Sequence, residues 1–177
     1  CKTGYNLRER NLIKQTLTFI SEFNSGSIPQ EKLDEHRKKL DADPKEAEKE
    51  LSRVLIILGN QIDEIQSKVL GSFYASYVKG AVSWEKFCEL TEANRRMFVS
   101  DYALLFEAAI KDGLKIQGRE LYQVDRLISL GLLQNQNRLG GNVWIDFTDN
   151  PEKQNDIIVT SLGMTFYNNV PSVLKGT

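Results

Sequence analysis

Two segments of this chain repeat one pattern at a spacing of 54 residues, and no other feature constrains the fold as much. The first runs from Phe19 to Glu35 and the second from Phe73 to Glu89; both read F-x3-[FY]-x2-G-x-[IV]-x2-E-K-[LF]-x-E. Each element of the pattern has a physical role. The two aromatics, Phe19 and Phe23 or Phe73 and Tyr77, stand four residues apart and share a helical face. Gly26 and Gly80 supply the left-handed residue that ends a helix. Ile28 and Val82 can pack back as a staple before the next helix. Glu31 and Glu85 fall in that helix's first turn, where the dipole favours a carboxylate. The pattern therefore predicts a helix–turn–helix hairpin used twice. A calcium loop is excluded, because Asn24-Ser25 and Val78-Lys79 precede the glycines where aspartates would be needed, and the glutamate follows the glycine by five residues, not six.

The flanking sequence is helical as well. Leu12, Ile13, Thr16, Leu17, Ile20 and Phe23 keep the spacing of one apolar stripe, which predicts a first helix from near Leu7 to Phe23. Pro29 suits the start of a second, about Gln30 to Leu40. Asp43-Pro44 is the clearest helix start in the chain: Asp43 can accept backbone N–H bonds, and Pro44 has none to leave unpaired. From there Leu51, Val54, Leu55, Leu58, Ile62, Ile65, Val69, Leu70, Phe73 and Tyr77 form a long stripe, either as one helix or broken near Gly59. Ser83 caps a helix from Trp84 to about Phe98. Ser100 or Asp101 opens another to Lys111, with Tyr102, Leu105, Phe106, Ala109 and Ile110 facing inward.

Composition narrows the function classes. The 177 residues carry 23 basic and 24 acidic side chains, for a net charge of −1, which excludes the strongly basic footprint of generic nucleic-acid binders. The segment Glu31 to Arg53 mixes both signs and reads as a solvated helical face. His36, the single histidine, lies in that segment and reads as exposed; alone it can build neither a metal cluster nor a nucleophile relay. Cys1 and Cys88 are too far apart in sequence for a disulfide framework or zinc site, and Cys88 reads as a small buried hydrophobe. The chain opens on Cys1, which suggests a trimmed upstream segment that could have held a targeting or membrane element. An acylated lipoprotein cysteine is the alternative, although Tyr5 to Arg8 run at once into a helix.

The duplicated hairpin resembles the helical hairpins of TerB-like proteins, in which a glycine-[IV]-glutamate turn joins the helices of a bundle. Over Arg53 to Asp101, including the run from Ser83 to Leu90, the chain is also similar to uncharacterised helical proteins carried by bacterial phages and prophages. These resemblances imply a helical bundle and a phage-associated role such as immunity or exclusion. The acidic metal-binding cluster of TerB domains has no counterpart here, so no metal or cofactor is carried over.

After Gly113 the texture changes. A short helix from Arg119 to Leu130, ended by Gly131, leads into Leu132 and Leu133. Val143 to Phe147 and Asp156 to Thr160 read as strands, and a last helix follows from Leu162 to Val170. This order is similar to a winged helix, with Tyr102 to Ile110 as its first helix, but no second helix fits between Gly113 and Gly118. From Gly118 to Thr177 there are five basic and six acidic residues, a balance that predicts weak phosphate binding.

The expected fold is mainly α: residues 1–98 form a helical bundle built from the duplicated hairpin, and residues 99–177 a small α+β winged-helix-like module. The expected function is a non-enzymatic protein–protein interaction, with a protein partner or a second copy of the chain; Trp84 and Trp144 are the first contact candidates, with core packing as the alternative for both and the favoured one for Trp84. The alternative is a DNA-binding regulator using Arg119, Gln123, Arg126 and Arg138. No catalytic residue, metal ligand or cofactor is expected; an enzyme would need Asp101, Tyr102 and Glu107 to converge on a metal. The expected compartment is the cytoplasm, with a membrane tether only through residues upstream of Cys1.

Overall fold

The computed structural model describes residues 2–115, 118–136 and 157–175, with side chains from residue 6 onward. The chain divides into two units, Cys1–Arg95 with Asn169–Leu174, and Arg96–Asn168 with Lys175–Thr177. The first holds α1 (Lys2–Ser25), α2 (Gln30–Ala42), α3 (Pro44–Gly59), α4 (Glu64–Val78) and nearly all of α5 (Trp84–Arg96). The second holds α6 (Val99–Lys111), α7 (Leu121–Ser129), the strands β1 (Leu133–Asn135) and β2 (Ile157–Val159), and nearly all of α8 (Ser161–Asn169). The protein is thus mainly helical with, among the described residues, a small two-stranded antiparallel sheet in which Leu133 faces Val159 and Asn135 faces Ile157. Among the described residues no helix is long and apolar enough to cross a membrane.

In the first unit α1 lies along α4. Asn11 donates to the Gln61 carbonyl at 3.2 Å, and Ser67 donates to Gln15 Oε1 at 2.6 Å. Further along, Phe19 crosses Gly71, and Gly26 meets Ala75. Both residue numbers rise together, so the two helices run parallel. The crossing is close because its residues are small. A Cβ on Gly71 would sit 2.7 Å from the Phe19 carbonyl oxygen, and one on Gly26 would sit 3.0 Å from the Ala75 Cβ. By contrast α5 runs antiparallel to α4: Tyr77 stacks near Trp84, Tyr74 near Phe87, and Asn94 Nδ2 donates to the Gln66 carbonyl at 2.9 Å. Val69, Leu70, Phe73, Phe87 and Leu90, none more than 1% exposed, form the core between them.

The helix ends follow local chemistry. Asp43 Oδ1 accepts from the N–H groups of Lys45 and Glu46, both at 3.1 Å. The long stripe after it breaks: α3 stops at Gly59, and Gln66 Oε1 accepts from the Ile62 and Asp63 N–H groups to start α4. Ser83 Oγ accepts from Lys86 N–H at 3.2 Å at the head of α5. The two repeated turns differ. Gly80 is left-handed at φ +78, and Ala81 N–H reaches back to the Ser76 carbonyl. In the first turn the left-handed residue is Ser27, at φ +48, and not Gly26. Gly26 is there for clearance from α4.

Three expectations about facing are corrected. In α1 the buried positions are Gln15 and Phe19, while Ile13, Leu17 and Ile20 are exposed; in α3, Leu51 and Leu55 are exposed as well. The α4 contact takes the face carrying Asn11, Gln15 and Phe19, and turns the aliphatic stripe outward. In α6, Ile110 is exposed and not inward. In the second unit Leu114 bridges Ile157, and a Cβ on Gly163 would lie 2.1 Å from the Leu132 carbonyl oxygen, which locks α8 against the end of α7. The expected strand from Val143 to Phe147 lies outside the described residues.

Identical substitutions at two glycines should therefore have opposite signs. Gly71→Ala gains helix propensity but drives a Cβ into backbone that cannot yield, and should lower stability by about 1–3 kcal/mol. Gly59→Ala meets nothing within 4 Å and should raise stability by about 0.5–1 kcal/mol. Urea unfolding of the two variants reads both signs.

Candidate interaction surface

The exposed stripe of α1 and that of α3 belong to neighbouring helices, because α1 packs against α3 as well as α4. On α1 the stripe is Ile13, Leu17 and Ile20, each between 45% and 63% exposed; on α3 it is Leu51, Leu55 and Ile56, each between 53% and 62%. A cleft of about 470 Å³ opens between the two helices, lined by Leu12, Ile56 and Gly59 and by the polar Arg8, Glu9 and Asn60. The reason lies in the local sequence. Val54 to Leu58 are five consecutive apolar residues, which cover the full circumference of a helix. Val54, Ile57 and Leu58 take the core, and Leu55 and Ile56 are left facing water.

Beside this surface, the first unit contains a buried carboxylate that sequence reading missed. Glu50, on α3, is 1% exposed. Its Oε1 accepts from Tyr74 OH at 2.6 Å and lies 3.0 Å from His36 Nε2; its Oε2 accepts from Tyr77 OH at 3.0 Å. Lys39 donates to Tyr77 OH at 2.7 Å, and the His36 ring stands edge-on to both tyrosines. His36 is therefore not a solvated member of a charge run; α2 turns it inward to bind α3 to α4. Burial by itself would raise the Glu50 pKa, but the hydrogen bonds from His36, Tyr74 and Tyr77 outweigh it and hold the carboxyl below its ordinary value. Burial and the bond to Glu50 push the Tyr74 phenol well above its ordinary value. His36, Tyr74 and Tyr77 converge on the Glu50 carboxylate, Lys39 backs Tyr77, and none of these residues lines the cleft, so the cluster is a rivet between three helices. The signal that could have revealed it is the pair Tyr74 and Tyr77, whose hydroxyls lie one turn apart on one face.

The sequence-derived candidates occupy other places. Trp84 is half-buried, its ring 5.1 Å from Phe87 and 5.2 Å from Tyr77, so it is a wall of the aromatic core and not an exposed contact. Trp144 and Arg138 lie outside the described residues. Gln123 is half-buried on α7. Arg119 makes a two-pronged pair with Glu107, at 2.6 and 2.7 Å, and Lys111 joins the same carboxylate; together they lower the Glu107 pKa to about 2. Arg126 lies with Nε 2.8 Å from the fully buried Asp101 and is flanked by the rings of Phe98 and Tyr122. That Nε contact is ionic and off the N–H line; the terminal nitrogen supplies the hydrogen bond, at 3.2 Å. Asp101 also accepts from the Phe98 N–H at 2.8 Å, at the head of α6. Asp101 and Glu107 are thus held by arginines.

No protein-family model matches this chain, no curated protein matches its sequence, and no solved structure matches its fold.

The rivet dictates a pH profile. Glu50 binds its proton less readily folded than unfolded, so its contribution is full above the unfolded carboxylate pKa near 4.5 and is lost as pH falls below it. Tyr74 has the opposite sign: its contribution is full below the unfolded value of 10 and declines as pH rises past it. Glu50→Gln should cost about 1–3 kcal/mol at neutral pH and flatten the acid limb, as read by thermal unfolding across pH.

Proposed function

We propose that this chain is a non-enzymatic protein–protein interaction module whose binding surface is the exposed aliphatic face of α1 and α3. One observation carries the reading: six leucine and isoleucine side chains on adjoining helices remain about half exposed, and one of them, Ile56, lines an open cleft between the two helices. Scattered exposed aliphatics are ordinary, whereas a patch of several hundred Å² bordered by charge marks a contact site. An immunity or exclusion role, which the resemblance to prophage-borne proteins implies, is one use of such a surface.

A DNA-binding role draws less support. The order helix, bridge, helix, strand, strand, helix in the second unit is in keeping with a winged helix, but Arg119 and Arg126 already face Glu107 and Asp101. Phosphate contacts need free cationic charge. The module should give no shift of labelled duplex DNA at about 50 mM salt, where such contacts bind most strongly.

Affinity capture from the native host, comparing the wild type with Leu17→Glu plus Leu55→Glu, tests the interaction reading. Proteins retained by the wild type should be lost from the variant, with its circular dichroism and thermal midpoint unchanged. The same retained proteins on both baits would refute this surface.

A further inference from the structure

We infer that the occupant of the α1–α3 face is a second copy of this chain. The inference rests on the interaction reading above and names its partner. Three features favour self-pairing. First is composition: the apolar part of the face is Ile13, Leu17, Ile20, Leu51, Leu55 and Ile56, wholly aliphatic, with no aromatic among the described exposed large apolar side chains of α1 and α3. Contacts formed between separately stable proteins concentrate their energy in tryptophan, tyrosine and arginine. Permanent homotypic contacts resemble a domain core cut in half, and this face has the composition of a core.

Second is area. Six aliphatic residues exposed by 45–63% present on the order of 600 Å² of apolar surface. A standard interface buries about 800 Å² per partner, of which about 65% is apolar in homodimers, or about 520 Å². The face matches what one protomer of a stable dimer must contribute, and it stands at the upper limit of the largest patch a monomer usually exposes.

Third is spacing. Ile13, Leu17 and Ile20 follow each other by four and then three residues, and Leu51 and Leu55 by four. This is the seam along which helices interlock at a shallow angle. A two-fold axis would set α1 of one protomer on α3 of the other and the reverse, closing a four-helix contact in which both stripes are used twice.

Sedimentation equilibrium of the purified full chain at micromolar concentration tests this. The wild type should sediment at twice 20.2 kDa. Leu17→Glu plus Leu55→Glu should fall to 20.2 kDa with unchanged circular dichroism. Ile13→Ser plus Ile56→Ser, a milder pair on the same face, should weaken dimerisation at least tenfold. Ile110→Glu, an exposed aliphatic position on α6, should remain dimeric. A monomeric wild type would overturn the inference, as would face variants that stay dimeric or an Ile110→Glu that dissociates. A monomeric wild type that still loses its captured proteins on Leu17→Glu plus Leu55→Glu would end the self-pairing and leave the interaction reading intact.

Discussion

The close parallel approach of α1 and α4 is the constraint from which the first unit follows. It exists because Gly71 leaves room for the Phe19 carbonyl and Gly26 leaves room for Ala75. The helices meet through small residues and through polar pairs, Asn11 with the Gln61 backbone and Gln15 with Ser67. A contact of that kind buries little aliphatic surface from α1. Phe19 and Phe23 instead reach toward Tyr74, with ring centroids 5.8 and 5.4 Å away. The leucine and isoleucine stripe is therefore left over for another use.

Glu50 extends the same logic to α2 and α3. α2 buries no residue fully and could not be held by apolar contact alone. It is held instead through His36 and Lys39, which reach the tyrosines and the buried carboxylate of α3. A buried charge without donors would be strongly destabilising; with three donors it is compensated and also fixes which faces meet. Gln61 shows the opposite situation, a buried amide with neither side-chain atom paired, and it lies at the join between α3 and α4 where the backbone turns.

How far the sequence was legible depends on the range of the interaction. Asp43-Pro44, Ser83, Gly80 and Gly131 act on their own neighbours, and the ends they mark lie where such chemistry puts them. The mainly α class and the strand within Asp156 to Thr160 were legible for the same reason. Facing was not. α1 carries two apolar stripes, and periodicity cannot say which one wins when the partner helix presents Gly71 and Ala75 and not an aliphatic groove. His36 looked solvated because its acceptor lies fourteen residues downstream and its aromatic neighbours nearly forty. Trp84 was legible as a core residue, because the ring it stacks on, Phe87, lies one turn along the same helix.

The parallel pairing also has a consequence in time. Gln15 and Ser67 are 52 residues apart, so α1 leaves the ribosome well before α4 exists. At about 5–20 residues per second the nascent helix waits on the order of 3–10 s for its mate. Throughout that interval Phe19 is bare along with Ile13, Leu17 and Ile20, and the young chain is at its stickiest before it owns a core.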